Sequence, residues 1–439
     1  MTLADARGFI IAAPRSGAGK TVITLGLLKA FADQKTAIVS AKAGPDYLDP
    51  MFHSAATGHD CVTLDPWGMR PALLKSLIAE ATQKAELIIV EGVMGLFDGA
   101  AGGGASTADL AAQLGLPIVL IVDVGGQSQS AAALVKGFMD YRDDCKIAGL
   151  ILNKVSSPRH LEMVASALEP LNIPVVGALG HEEALQFPSR HLGLVQAREH
   201  ADLDQRLEQA ADLISSRLDL EQLRGLAAPL DADTGGSVLR LVPLGQHIAI
   251  ARDEAFAFTY PHILDHWRKD KAQLSFFSPL KNEAPDAQAD AIYLPGGYPE
   301  LHLPKLAKAN QFFGSLKAAQ THDVLVFGEC GGYMVLGDYI IDADGKRHDM
   351  AGLLPLGTNF AKRKLHLGYR KLIHGSALPW PKNLRGHEFH YASIDYQGDG
   401  DDLFQAQDSQ DADLGPQGLR RGNVMGSFIH ILDVGVDDA

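Results

Sequence analysis

Gly8-Phe-Ile-Ile-Ala-Ala-Pro-Arg-Ser-Gly-Ala-Gly-Lys-Thr21 decides the fold of the first half of this chain. The apolar run Gly8 to Ala13 reads as a strand buried on both faces, and the glycine-rich turn after it opens a helical pattern. Strand, glycine loop and helix in that order form the setting in which a P-loop holds phosphate. Backbone N–H groups and the helix N-terminus face the phosphate oxygens, Lys20 neutralises charge on the outer phosphates, and the Thr21 hydroxyl can ligate Mg²⁺. Gly17, Gly19, Lys20 and Thr21 match the pattern; Pro14 stands in place of its first glycine. The bland alternative is a glycine-rich turn without a ligand, which the strand–loop–helix context disfavours.

Outward from that stretch, short β-rich runs at 36–41, 86–92, 117–124, 148–155 and 174–179 alternate with helical patterns. Such alternation predicts a doubly wound parallel sheet with helices on both faces. A helix is predicted over 201–223 and a linker over 225–245, where glycine, proline and Asp-Ala-Asp-Thr-Gly-Gly break the periodicity. A second alternation, at 247–253, 273–279, 291–300, 324–334 and 424–432, predicts another α/β unit with antiparallel strands late on. The expected organisation is therefore a first domain over 1–224, the linker, and a second domain over 246–439.

With 439 residues, 46% of them hydrophobic and 21% charged, the chain can fill more than one core. A net charge of −14 excludes a bulk binder of nucleic acid or anionic membrane, so an anionic ligand must be caught by local donors. The three cysteines, Cys61, Cys145 and Cys330, form no CxxC pair, which suits a reducing compartment. The apolar run at residues 9–13 is too short for a signal segment, and no stretch reaches the ~18–20 apolar residues that span a bilayer. The expectation is a cytoplasmic protein with neither nucleic acid nor membrane as partner.

Two acidic segments follow strands of the first half, where ligands of open α/β sheets sit. These are Lys42-Ala-Gly-Pro-Asp-Tyr-Leu-Asp49 and Glu91-Gly-Val-Met-Gly-Leu-Phe-Asp98. Asp46, Glu91 and Asp98 could hold Mg²⁺, with Lys42 facing phosphate or substrate; alternatively these acids cap helices or turns. The P-loop favours the metal reading for Glu91, while Asp49 stays open. Asn153 ends a strand and is either a base contact or a satisfied strand-end amide. Arg190 and His191 are either a contact for a substrate carboxylate or a surface basic pair.

In the second half, Gly328-Glu-Cys-Gly-Gly332 ends the run Val324–Gly328. A nucleophile on a sharp strand-to-helix turn needs small neighbours, and the helix N-terminus is expected to lower the thiol pKa. Cys330 is the candidate nucleophile. Its base must come from elsewhere in the chain, and His430 in Gly426-Ser-Phe-Ile-His430 is the choice among 17 histidines. Pro295-Gly-Gly297 can give an N–H to an oxyanion, with Gly331 as the second donor. His387-Glu-Phe-His390 has H-x-x-H spacing without the HExxH arrangement or a cysteine partner, a poor zinc pattern.

Together these segments resemble the cobyrinic acid / hydrogenobyrinic acid a,c-diamide synthases. The first half is similar to dethiobiotin synthetase and the second to a class I glutamine amidotransferase of the cobyric acid synthase type. The resemblance covers nearly the whole chain. It rests on Lys42–Pro50, Glu91–Gly99, Arg190-His-Leu-Gly-Leu194, Tyr293-Leu-Pro-Gly-Gly-Tyr-Pro-Glu-Leu301 and Gly386-His-Glu-Phe-His-Tyr391. Ordinary class I enzymes carry a glutamate two residues after the histidine; here Leu432 holds that place. Asp433, one further on, should leave a regular strand by the opposite face. The resemblance thus implies a Cys330–His430 dyad whose orienting group is unassigned.

What the resemblance implies is ATP-dependent amidation of the a and c acetate carboxylates of a corrin precursor, through acyl phosphates, with Mg²⁺ as cofactor and L-glutamine as nitrogen donor. Lys42, Tyr47, Leu48, Asp49, Asp98, Arg190 and His191 then belong to the substrate and phosphoryl site. A homodimer is compatible with it. The nearest rival is cobyric acid synthase-type amidation of other side chains. From another class comes a partition-type ATPase switch, which carries a lysine at the place of Arg15 and no Cys/His half.

Overall fold

Strands that are apolar along their whole length must be covered on both faces, and the first half of the chain achieves this with a parallel sheet. The computed structural model describes residues 6–182, 189–190, 193–194, 202–230 and 238–435. The chain divides into two units, Met1–Val238 and Leu239–Ala439. The first contains β1 (Arg7–Ala12), β2 (Ile38–Ala43), β3 (Val62–Leu64), β4 (Leu87–Glu91), β5 (Ile118–Asp123), β6 (Ile147–Asn153) and β7 (Val175–Ala178). They lie in the order β3-β2-β4-β1-β5-β6-β7, every pair parallel. Two short strands, β8 (Ser189–Arg190) and β9 (Gly193–Leu194), pair with each other. A final β10 (Ala228–Pro229) runs antiparallel to the start of β1.

Parallel strands place all their carboxyl ends on one edge, so the P-loop, Lys42 and Glu91 emerge side by side. The helix Lys20–Asp33 packs on the helix Leu203–Arg217 at Gly26, where a Cβ would lie 2.5 Å from Ile214 Cγ1 and 3.0 Å from Ala210 O. No other residue allows that approach. The helix predicted over 201–223 is two helices, Leu203–Arg217 and Leu220–Leu226. Asp219 Oδ1 accepts the Gln222 N–H (2.9 Å), capping the second and ending the first.

The second unit alternates strands and helices as predicted, then turns to hairpins. Its strands are β11 (His247–Ala251), β12 (Gln273–Phe277), β13 (Ala291–Leu294), β14 (Leu325–Glu329), β15 (Tyr339–Ile341), β16 (Arg347–Asp349), β17 (Leu356–Asn359), β18 (His366–Ile373), β19 (Asn383–His390), β20 (Ser393–Gln397), β21 (Asp401–Gln407), β22 (Asp413–Arg421), β23 (Val424–Ser427) and β24 (Ile429–Val434). The main sheet runs β12-β11-β13-β14-β23-β22-β21-β18-β19-β24. Pairs from β12 to β23 are parallel and those from β23 to β24 antiparallel. A smaller sheet has the order β16-β15-β17-β20.

The run predicted over 424–432 is two strands, because Phe428 breaks the chain between β23 and β24. Of the predicted linker, Ala228 and Pro229 pair with β1, while Leu241 and Leu244 are buried in the core of the second unit. Among the described residues, no helix is long and apolar enough to cross a membrane.

Two candidate active sites

In the first unit the P-loop joins β1 to the helix that starts at Lys20. Gly17 and Gly19 have φ of 75° and 95°, values that L side chains rarely adopt. Gly19 is doubly required, since its Cβ would lie 2.5 Å from Asn153 Nδ2. Asn153 braces this loop: Nδ2 donates to Ala18 O (2.8 Å) and Oδ1 accepts the Lys154 N–H (2.9 Å). Arg15 pairs with Asp123 (2.9 Å) at the end of β5.

The side chains at the neighbouring strand ends converge on Thr21. Its hydroxyl donates to Glu91 Oε1 (2.6 Å) and lies 3.3 Å from Asp49 Oδ2. Lys42 Nζ sits 2.7 Å from Asp49 and 2.9 Å from Glu91, and is buried with Glu91. Burial opposes the Lys42 charge, but Asp49 and Glu91 outweigh it and hold the amine above its ordinary value. For Glu91, burial alone would push the carboxyl up; Lys42 and His53 hold it well below the carboxylate range, so it is ionised. Burial lowers the Lys20 amine, with Glu91 acting the other way, and its Nζ donates to Met94 O.

Thr21, Glu91 and Asp49 thus form a set of oxygen donors, the type that a hard divalent cation takes. The acids that were expected to act together do not all do so. Asp46 Oδ1 accepts the N–H groups of Leu48 (2.8 Å) and Asp49 (3.1 Å), fixing the start of the helix Leu48–Thr57 that carries Asp49. Asp98 Oδ2 accepts the Gly95 N–H (2.9 Å) within its own turn. Leu48 is buried and Tyr47 half-buried at the head of the same helix. Arg190 is in β8, and His191 lies outside the described residues.

In the second unit Cys330 follows β14 and precedes the helix Gly331–Leu336. Its φ of 48° and ψ of −105° are strained for a side chain with a Cβ. The small neighbours are needed for contact: a Cβ on Gly328 would lie 2.9 Å from Tyr333 N, and one on Gly332 only 1.9 Å from Leu294 O. A Cβ on Gly331 would come within 3.1 Å of Gly297 N, so the two predicted oxyanion donors are neighbours. Gly296 fixes the pair itself. Its Cβ would lie 2.3 Å from His430 Cε1, 3.2 Å from Nε2 and 3.3 Å from Cys330 Cβ. Nucleophile and base therefore flank one point of backbone.

One expectation about the thiol is corrected. Burial pushes Cys330 up, Glu300 adds to this, and the Gly331 N–H offsets only part of it. Burial outweighs the N-terminus of this 6-residue helix, so the thiol is raised above its ordinary value rather than lowered. The expected face of Asp433 is also corrected. Register along β19 and β24 pairs His387 with His430, Gly386 with Ile431, then Arg385 with Asp433. Leu432 is the extra residue of a bulge, and alternation along β19 puts Asp433 on the side of His430.

Two participants, His53 and Glu329, were not read from the sequence, and His387 was read only as part of an H-x-x-H segment and a family motif. His53 Nε2 lies 2.7 Å from Glu91 Oε2, fully buried, from the helix that also bears Asp49. Glu329 Oε2 lies 3.8 Å from His430 Nδ1. His387 stacks on His430 with centroids 4.9 Å apart, and its Nε2 is 2.7 Å from the Tyr260 hydroxyl. Burial, then His430 and Arg370, keep His387 well below its ordinary value. His387 and His390 do not converge: His390 instead stacks on His366, and its Nε2 is 2.8 Å from Glu388. Those three side chains have ligand-type spacing, but Arg370 already neutralises Glu388 at 2.6 Å.

A nucleotide-type P-loop unit followed by a cysteine–histidine unit defines the class. Residues 9–195 match the CobQ/CobB/MinD/ParA nucleotide binding domain and residues 247–434 the CobB/CobQ-like glutamine amidotransferase domain. This is an ATP-dependent carbon–nitrogen ligase with glutamine as nitrogen donor. Relatives narrow it further. The chain is 54% identical over 429 residues to a hydrogenobyrinate a,c-diamide synthase of Brucella anthropi, covering 97% of this chain and 98% of that one. Proteins of the same name from Sinorhizobium sp and Mesorhizobium japonicum are 51% and 47% identical, over 97% of this chain and 99% and 98% of theirs. The chain belongs to the hydrogenobyrinate a,c-diamide synthase family.

Proposed function

We propose that the chain amidates the a and c acetate side chains of a corrin-ring polycarboxylate, with ATP and Mg²⁺ in the first unit (1–224) and glutamine hydrolysis in the second (246–439). The observation that carries this is the convergence of Lys20, Thr21, Lys42, Asp49 and Glu91 at one sheet edge, in a chain alike over its full length to synthases of that name. The names of the relatives favour the metal-free ring as substrate.

In the first unit a substrate carboxylate oxygen attacks the γ-phosphorus of ATP, ADP leaves and an acyl phosphate forms. This step is needed because a bare carboxylate would have to expel oxide. Lys20 and the loop N–H groups face the phosphates, and Asn153 keeps an amide proton for the base. Thr21 and Glu91, with Asp49 beside them and Asp46 behind it, would hold Mg²⁺, which supplies charge neutralisation on the phosphates. Lys42 faces the developing charge, and Tyr47, Leu48, Asp49 and Asp98 are assigned to the substrate and phosphoryl site; Arg190 and His191 are assigned there by the resemblance alone. Ammonia then displaces phosphate and leaves the amide.

In the second unit His430 takes the proton of the Cys330 thiol as sulfur attacks the side-chain amide carbon of glutamine. The N–H groups of Gly297 and Gly331 face the oxyanion. The amide nitrogen takes the proton from His430 and leaves as ammonia; water hydrolyses the glutamyl thioester.

The test is to offer ATP, Mg²⁺ and glutamine with metal-free and cobalt-containing rings and to count amides by mass. The metal-free ring should gain two amides, one on each of the a and c acetates. Amidation of other side chains would replace this reading with the cobyric acid synthase type, and ATP hydrolysis without amidation would point to a switch.

A further inference from the structure

Proton transfer from Cys330 turns His430 into a cation inside a buried site, and such a cation needs a nearby carboxylate. Leu432 stands where the usual acid would be. We propose that Glu329, the residue immediately before the nucleophile, orients His430 and stabilises its protonated form. This rests on the Cys330–His430 reading above.

Three elements hold the Glu329 carboxylate in place. It ends β14 and is 4% exposed. Oε1 accepts the Ile431 N–H (3.1 Å), next to His430 on β24, and Oε2 accepts the Tyr293 hydroxyl (2.6 Å) from β13. Both hydrogen bonds fix the orientation of the carboxylate, and Oε2 is the oxygen 3.8 Å from His430 Nδ1. That distance is longer than a hydrogen bond, but catalytic bonds are often long before substrate binds and tighten in the complex. With Nδ1 facing Glu329, Nε2 is left on the side of Gly296 and Cys330, where it must be to take the thiol proton. The positive φ at Cys330 makes this possible: the chain turns so sharply that two consecutive residues approach one imidazole from different sides.

Other groups also face the ring. His387, stacked on His430 from β19, is held neutral, with the Tyr260 hydroxyl at its Nε2. Glu388 on β19 is engaged by Arg370 and His390. Asp433 shares the side of His430 on β24, and its Oδ1 accepts the Val434 N–H (2.8 Å). It is the rival that the experiment must separate.

The experiment measures glutamine hydrolysis by the full chain against pH. Glu329→Gln keeps the shape and removes the charge. Its kcat should fall about 100-fold, with KM for glutamine changed less than about threefold. The acid limb of kcat/KM should move down by about one pH unit, because a carboxylate within ~4–6 Å raises an imidazole pKa. A purely structural role would not move that limb. Tyr293→Phe keeps the carboxylate and should leave the limb in place. If Glu329→Gln fails to fold, Glu329→Asp replaces it: its carboxylate lies farther from the ring, so about a tenfold lower kcat with the limb moved down by a smaller step supports the proposal, and a wild-type kcat or an unmoved limb overturns it. Glu329→Gln near wild-type rate, or with an unmoved limb, also overturns it, as does transfer of both effects to Asp433→Asn. Cys330→Ala run alongside separates the readings: if that variant still hydrolyses glutamine, the nucleophile assignment falls, not merely the role of Glu329.

Discussion

The two sites solve opposite problems. In the first unit the functional groups are acids and bases held in contact with one another. Lys42, Asp49, Glu91 and His53 lie within 2.7–2.9 Å of one another in pairs, and the site is held by charge. The second buries its nucleophile, which raises the thiol, and holds it by backbone: a positive φ, glycines at close contacts, and a bulge. A site that binds a multiply charged nucleotide gains from preset charge. One that must create a thiolate only when substrate arrives gains from preset geometry.

The sharpest way to break this contrast is Cys330→Ala, which should lower glutamine hydrolysis at least about 10⁴-fold while amidation with free ammonia persists. Residual glutaminase would show that the thiol is not the nucleophile. Next in size, Lys20→Ala and Glu91→Gln should cut amidation about 10³-fold from either nitrogen source and spare glutaminase. Normal amidation with ammonia would remove them from the phosphoryl site.

The charge-held site also predicts a pH dependence of stability. Glu91 is depressed below its ordinary 4.5, so it stabilises the fold above that pH and the contribution is lost as pH falls further. Melting temperature should therefore drop less steeply in acid for Glu91→Gln than for the wild type. Glu388, held at about 2, keeps part of the slope in both. Equal slopes would show that Glu91 is not preset by its partners.

The geometry-held site predicts a steric effect. A methyl at Gly296→Ala meets His430 Cε1, and displacing the ring by about 1 Å should lower glutamine turnover about 100-fold, with the overpacking also lowering the melting temperature. Unchanged turnover would mean that the ring position is not what matters. The smallest effect is expected for Asp433→Asn, about two- to threefold on glutamine turnover against ~10⁴ for loss of a true triad acid. A loss of about a thousandfold would hand the orienting role to Asp433.

Much of this protein was legible without coordinates, for a local reason. The P-loop and the cysteine elbow are contiguous strand–turn–helix units, and some of their glycines are required locally, by the positive φ of Gly17 and Gly19 and by the close approach of Gly328 to Tyr333. Continuous apolar runs also announced the parallel sheets, since burial on both faces leaves no polar alternation. Antiparallel strands late in the second unit were expected, but the individual strands between residues 339 and 421 escaped, because strands such as His366–Ile373 are only half-buried and mix charged with apolar side chains.

Pairing across strands was the part that only the tertiary structure decided. No spacing rule links His53 to Glu91 or Glu329 to His430; each contact exists because folding brings separate elements together. Asp433 is the clearest case. Alternation along an isolated strand sends it away from His430, but β19 sets the register of β24, and Gly386 lets the two approach where any Cβ would lie 2.4 Å from His430 O. The sequence determined which residues could do the chemistry, because residue type and backbone permission are local properties. The face each presents, and the charge each carries, were decided by the neighbours that folding brought, because register and desolvation belong to the assembled sheet.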